Sequence, residues 1–297
     1  MNAKRMFLSS FVAATLLNPV ANASKKHIPE TPDADIHLMP RTSVPVGVYK
    51  GYLVVVSGQI GGLKAKQNFV IDTGTSPSML NARFAKKLGL PVTDSTLLAV
   101  GSQVPTRRTV LPHLDLGPIH ATGVHMNVMD LTWLEQQFSM EIAGLVGMDV
   151  LGQASFRLDY ERRELQFGDV DDAGIPVKYD RPSHLALADV TVQGKPVRLL
   201  VDTGTDMIVV YGHAWETLPT ATKVADTPKN RSVSTPLLTG QIVDPEMELD
   251  GLLFHASRAF YVPSASAKGY DGIAGITALK LRGISFNRDK QSVRLLN

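Results

Sequence analysis

The chain contains no cysteine among its 297 residues. That excludes disulfides, a thiolate nucleophile, thiolate metal sites and a lipid-modified cysteine together. Aromatic residues are sparse at 6%, with only two tryptophans, and charge of neither sign dominates: 30 Lys and Arg stand against 28 Asp and Glu. A near-neutral surface gives no field to gather nucleic acid or an anionic membrane. After the N-terminal region there is no long apolar run that could span a bilayer. A Gly-x-Ser-x-Gly elbow, a phosphate loop, a dinucleotide fingerprint and His-Glu-x-x-His are all missing. The histidines His113, His120 and His125 follow no ligand spacing and read as ordinary surface or core residues, so no metal and no cofactor is expected.

The N-terminus reads as an export signal. Lys4 and Arg5 precede an apolar or small stretch from Met6 to Leu17, and Ala21-Asn22-Ala23 fits a small-x-small cleavage site. The apolar stretch is shorter than the roughly 20 residues that a spanning helix needs. The expected mature chain therefore starts at Ser24, outside the cytoplasm, in the periplasm or secreted, with no stable membrane association. Losing residues 1–23 removes Lys4 and Arg5 and no acid, which leaves the two signs equal. A secreted chain without disulfides must be held by its core alone.

What is present is a duplication. Phe69-Val70-Ile71-Asp72-Thr73-Gly74-Thr75 is matched 130 positions later by Leu199-Leu200-Val201-Asp202-Thr203-Gly204-Thr205. Ala143-Gly144-Leu145-Val146-Gly147-Met148 is matched by Asp271-Gly272-Ile273-Ala274-Gly275-Ile276, shifted by 128. At the same shift, Ser155–Tyr160 and Gly283–Arg288 both lead into a charged turn and a short apolar strand. Three separated blocks at nearly one offset mark a repeated unit. Around each Asp-Thr-Gly, strands are expected at 52–56 and 63–71, and at 185–192 and 196–201. Leu80, Phe84 and Leu88 have helical spacing, stopped by Gly89 and Pro91, and 212–218 could form a shorter helix. The expected fold is mainly β, in two similar β-rich lobes. Residues 24–45 read as an extended lead-in, 46–170 as the first lobe, 171–182 as a linker and 183–297 as the second lobe.

Two carboxylates held close together can share one proton, because like charges about 3 Å apart cannot both ionise. Such a pair supplies a base to activate water and an acid to polarise a carbonyl. One Asp-Thr-Gly cannot do this alone, whereas two equivalent loops meeting across a pseudo-two-fold axis can. Apolar residues before Asp72 and Asp202 end a buried strand at each carboxylate. Gly74 and Gly204 let two backbones approach, Thr73 and Thr203 could bond across to the opposite loop, and Thr75 and Thr205 could donate to their own aspartate.

With these motifs the chain resembles the pepsin-like and retropepsin-like aspartic peptidases, most closely bilobed bacterial forms with compact lobes. The resemblance covers about residues 50–297. Leu145-Val146-Gly147 and Ile273-Ala274-Gly275 match the apolar-apolar-Gly segments that thread beneath the catalytic loops of that family. It implies the acid-protease fold with the site in the cleft between lobes, a dyad of Asp72 and Asp202, a polypeptide substrate, and no metal or covalent intermediate. With both halves on one chain, a monomer is expected. The other reading is a catalytically inactive periplasmic peptide-binding protein on the same fold. Two departures stand out. Asp206 occupies a position where a small or hydroxyl residue is usual, and could either hold the extra proton of the dyad to higher pH or simply point to solvent. Residues 81–130 contain neither Tyr nor Trp, so the aromatic flap residue of pepsin-like enzymes has no counterpart, and the flap is expected near Val100–Gln103.

Overall fold

Each Asp-Thr-Gly motif sits where a chain of apolar residues reaches the end of a strand. The computed structural model describes residues 42–99, 102–218, 223–224, 240–256, 258–262, 267 and 269–297. The expected export signal and all but the last four residues of the lead-in lie outside the described residues, as do Val100 and Gly101 of the expected flap.

In the first half, the strand Leu53–Ile60 turns back into Gln67–Ile71, with Val55 opposite Val70 and Val56 opposite Phe69. The chain leaves this strand at Asp72, loops, and returns as Met79–Asn81. It does not return beside the strand it left. The later segment Gly144–Val146 is inserted between them, parallel to Gln67–Ile71 and antiparallel to Met79–Asn81. The second half repeats the arrangement. Gly272–Gly275 runs parallel to Lys195–Asp202 and antiparallel to Ile208–Tyr211. The inserted segment lies so close to its neighbour that a Cβ on Gly144 would stand 2.2 Å from Met79 O, and one on Gly272 2.0 Å from Val209 O. Only glycine fits there.

Strand order shows how closely the two halves resemble each other. From Leu53–Ile60 the first sheet runs through Gln67–Ile71, Gly144–Val146, Met79–Asn81, Ile119–Met129 and Ser102–Leu116 to Thr93–Ala99. From Leu185–Val192 the second runs through Lys195–Asp202, Gly272–Gly275, Ile208–Tyr211, Arg258–Val262 and Gly240–Val243 to Lys223–Val224. The two orders correspond strand for strand. The structure is therefore mainly β and fits a two-lobed, acid-protease-like architecture.

The halves are joined by a shared run of strands in the order Thr42–Pro45, Glu164–Phe167, Phe156–Asp159, Gly283–Asn287, Ser292–Leu296 and Ile175–Asp180. At its centre Arg157 stands opposite Ser285, its own duplicate, so the pseudo-two-fold axis passes through this pair. Here the structure differs from the sequence reading in three places. The end of the lead-in, Thr42–Pro45, is a strand paired with Glu164–Phe167. The segment read as a linker contains the strand Ile175–Asp180, which pairs with Ser292–Leu296 and with Leu185–Val192. Phe156–Asp159, assigned to the first lobe, pairs with Gly283–Asn287 of the second. These partners are remote in sequence, and pairing with them satisfies backbone groups that a free linker would leave to water.

The main core runs through both halves and includes Phe69, Phe156, Val190 and Phe286. Smaller clusters cover the opposite face of each strand that leads into an Asp-Thr-Gly loop. Val70, Met79 and Leu145 belong to one, and Leu200, Val209 and Ile273 to the other, at equivalent positions. Alternation along each strand thus loads both faces and leaves the aspartate at its end enclosed.

Candidate active site

The two Asp-Thr-Gly loops meet. Asp72, Thr73, Thr75, Asp202 and Thr203 are fully buried, and Thr205 nearly so. Thr73 N–H donates to Thr203 Oγ1 at 3.0 Å, and Thr203 N–H donates to Thr73 Oγ1 at 3.2 Å. Each hydroxyl then donates to the strand leading into the other loop, Thr73 to Val201 O at 3.1 Å and Thr203 to Ile71 O at 2.7 Å. Four reciprocal bonds therefore lock the loops together, and every buried donor in the exchange finds an acceptor.

That grip brings the carboxyls face to face. A Cβ on Gly74 would lie 2.5 Å from Asp202 Cγ, and one on Gly204 would lie 2.8 Å from Asp72 Oδ2. The glycines thus make room for the opposite carboxyl rather than only for a backbone. Asp72 Oδ1 accepts Gly74 N–H at 3.1 Å, and Asp202 Oδ1 accepts Gly204 N–H at 2.6 Å. The other oxygens, Asp72 Oδ2 and Asp202 Oδ2, are buried and receive no N–H or other hydroxyl among the described residues. Their available donor is a proton carried by the opposite carboxyl.

The electrostatics are those of a shared proton. Burial pushes the Asp72 carboxyl well above the ordinary carboxylate range, the charge of Asp202 adds to this, and the Thr75 hydroxyl and Gly74 N–H oppose it. Burial also raises Asp202, but Gly204 N–H, the Asp72 carboxyl and Gly74 N–H favour its charged form. Both carboxyls are therefore raised by burial, and the pair titrates as a unit.

The supporting residues divide unequally. The Thr75 hydroxyl is among the groups that favour the charged form of Asp72. Thr205 does not repeat this: its hydroxyl oxygen accepts Met207 N–H at 3.2 Å. Asp206 is partly buried, and burial raises its own carboxyl, opposed by its own backbone N–H and by Lys50. His113 and His120 both bond to Asp115, at 2.9 and 2.6 Å, in the hairpin of the first half.

Sequence reasoning missed Ser78 and Asp149. Ser78 N–H and Oγ donate to the two oxygens of Asp149 at 2.9 and 2.7 Å, and Ser78 Oγ accepts Gly147 N–H at 3.0 Å. Neither residue has a like residue at the equivalent position of the second half, so a search for repeats passes over both. The available signal was an acidic residue two positions after Gly147, in a segment that already drew attention.

A model of the aspartyl protease family matches residues 56–150, which contain Asp72, Ser78 and Asp149. The match supports an aspartic peptidase family and hydrolase chemistry; the second loop, with Asp202, lies outside it. No curated protein matches the chain.

Proposed function

We propose that this chain is a self-contained aspartic endopeptidase, acting as a monomer outside the cytoplasm on polypeptide substrates. The observation that carries this reading is the meeting of Asp72 and Asp202 across four reciprocal threonine bonds, with one oxygen of each carboxyl left for a shared proton.

The chemistry follows from one proton on two carboxyls. Ionised Asp202 takes a proton from a water held between the pair while that water's oxygen attacks the peptide carbonyl. Asp72 gives its proton to the carbonyl oxygen, so charge does not accumulate in the tetrahedral intermediate. When the intermediate collapses, a proton passes from Asp202 to the departing nitrogen, and the C–N bond breaks. Asp72 recovers a proton from the intermediate's hydroxyl as the carboxylic acid product forms. The pair ends in its starting state, and water has been divided between the two products. Only the singly protonated dyad can act as acid and base together, which predicts activity falling on both sides of an optimum.

The test is incubation of purified mature protein with denatured casein from pH 3 to 8, with and without a statine inhibitor. Inhibitor-sensitive cleavage that Asp72→Asn and Asp202→Asn each reduce by several orders of magnitude supports the reading. The double mutant should be little worse than either single mutant, because the pair works as a unit. Peptide binding without turnover would instead favour a catalytically silent binding protein. Export is tested separately: the secreted product should begin at Ser24, and a product retaining Lys4 would overturn that part.

A further inference from the structure

Ser78 is the point at which the Asp72 loop becomes the strand Met79–Asn81, and it is completely buried. Its two donors go to the two oxygens of Asp149, and its hydroxyl oxygen accepts Gly147 N–H. Asp149 lies in the first turn of the helix Met148–Leu151, directly after the inserted strand Gly144–Val146. Two backbone bonds join the same segments: Asp72 N–H to Val146 O at 3.0 Å, and Met148 N–H to Thr75 O at 3.3 Å. The Asp149 carboxylate therefore closes the far end of a loop whose near end carries Asp72.

The second half builds the same three strands without this clamp. Ile208 and Thr277 occupy the positions equivalent to Ser78 and Asp149. There Gly275 N–H bonds to Met207 O at 2.9 Å, and Met207 N–H bonds to Thr205 Oγ1. Thr205 thus holds its own loop. In the first half Pro77 stands where Met207 does and has no N–H to give Thr75, and Ser78 and Asp149 do that holding. Partial burial of a carboxylate is costly, and the fold of the second half shows that the strands form without one.

We propose that Asp149 is a positioning residue for Asp72. Through Ser78 and Gly147 it fixes the loop that carries Asp72. This rests on the peptidase reading, and the experiment separates the two. Asp149→Asn puts an NH₂ group against one of the Ser78 donors, and Ser78→Ala removes the hydroxyl while leaving Asp149 in place. Each should lower kcat per folded molecule by about tenfold or more, with KM changed less than about twofold, since misplacement of a catalytic group by a fraction of an ångström acts on the chemical step. The double mutant should be no worse than the poorer single mutant. Ser78→Thr, which keeps the hydroxyl, should recover much of the loss, and Thr277→Ala should leave kcat unchanged. Independently of activity, amide hydrogen exchange at Thr75 and Ser78 should quicken in both clamp mutants, in protein whose melting shows it folded. If the wild type proves inactive, the peptidase reading fails, and the exchange result alone decides whether the clamp exists. Unchanged kcat, or unchanged exchange at these amides, overturns the proposal.

Discussion

Gly74 shows how little freedom single residues have at the junction. An alanine there would drive its methyl into the Asp202 carboxyl, with 2.5 Å to Cγ and 2.7 Å to Oδ2. Because the obstacle is a side chain, the loop can keep its course only if Asp202 moves. Gly74→Ala should therefore leave a folded protein whose kcat is lower by on the order of 10²-fold, read from initial rates on a peptide substrate. Asp72 supplies a second test. Its carboxyl is raised by burial and by Asp202, so ionising it opposes folding. The fold escapes that penalty below the model-peptide value of 3.8 and incurs it as pH rises through the raised pKa. Asp72→Asn should then melt at a higher temperature than wild type at pH 7, with the gap closing near pH 3. A gap independent of pH would show that the carboxyl carries no such penalty.

Among the elements, the paired loops carry the clearest energetic prediction. Thr203→Ala strands two buried groups at once, Thr73 N–H and Ile71 O. Each unmet group costs about 1–3 kcal/mol, so the substitution should destabilise by about 2 kcal/mol or more in urea denaturation, whereas Thr203→Ser should cost under about 1 kcal/mol. These loops were legible in the sequence because they are short, contiguous and repeated. Elements that depend on distant partners were not. Leu80 was read with Phe84 and Leu88 as one helical stripe, yet it lies in a strand, opposite Val128 and Gly144. The helix starts only at Ala82, capped by Asn81. Ile175–Asp180 resembles a linker because Pro176 is a poor strand former, and because Leu295, the partner of Ile175, is far along the chain. The helix Thr132–Phe138 has Leu131 at its N-cap, with no side-chain cap bond, and Asp130, one position earlier, accepts Thr132 N–H at 2.9 Å instead, so the start signal is displaced by one residue.

The molecule as a whole is a closed pair. Both aspartates belong to one chain, so specific activity should stay constant on dilution; a second-order loss would show that the working unit is larger. A fragment of residues 42–170 would expose the edge of Phe156–Asp159, which otherwise pairs with Gly283–Asn287. Unpaired strand edges recruit partners, so this fragment should self-associate in sedimentation or light scattering and lack activity as a monomer. The register at the axis also shows what a single chain can build that two identical ones cannot. In an assembly of two identical halves, the rungs on either side of the Arg157–Ser285 pair would have to hold the same two residue types in reversed order. Here one rung is Phe156 with Phe286, rings 6.0 Å apart, and the other is Leu158 with Ile284. The seam is thus aromatic on one side and aliphatic on the other, a distinction that no homodimer can encode.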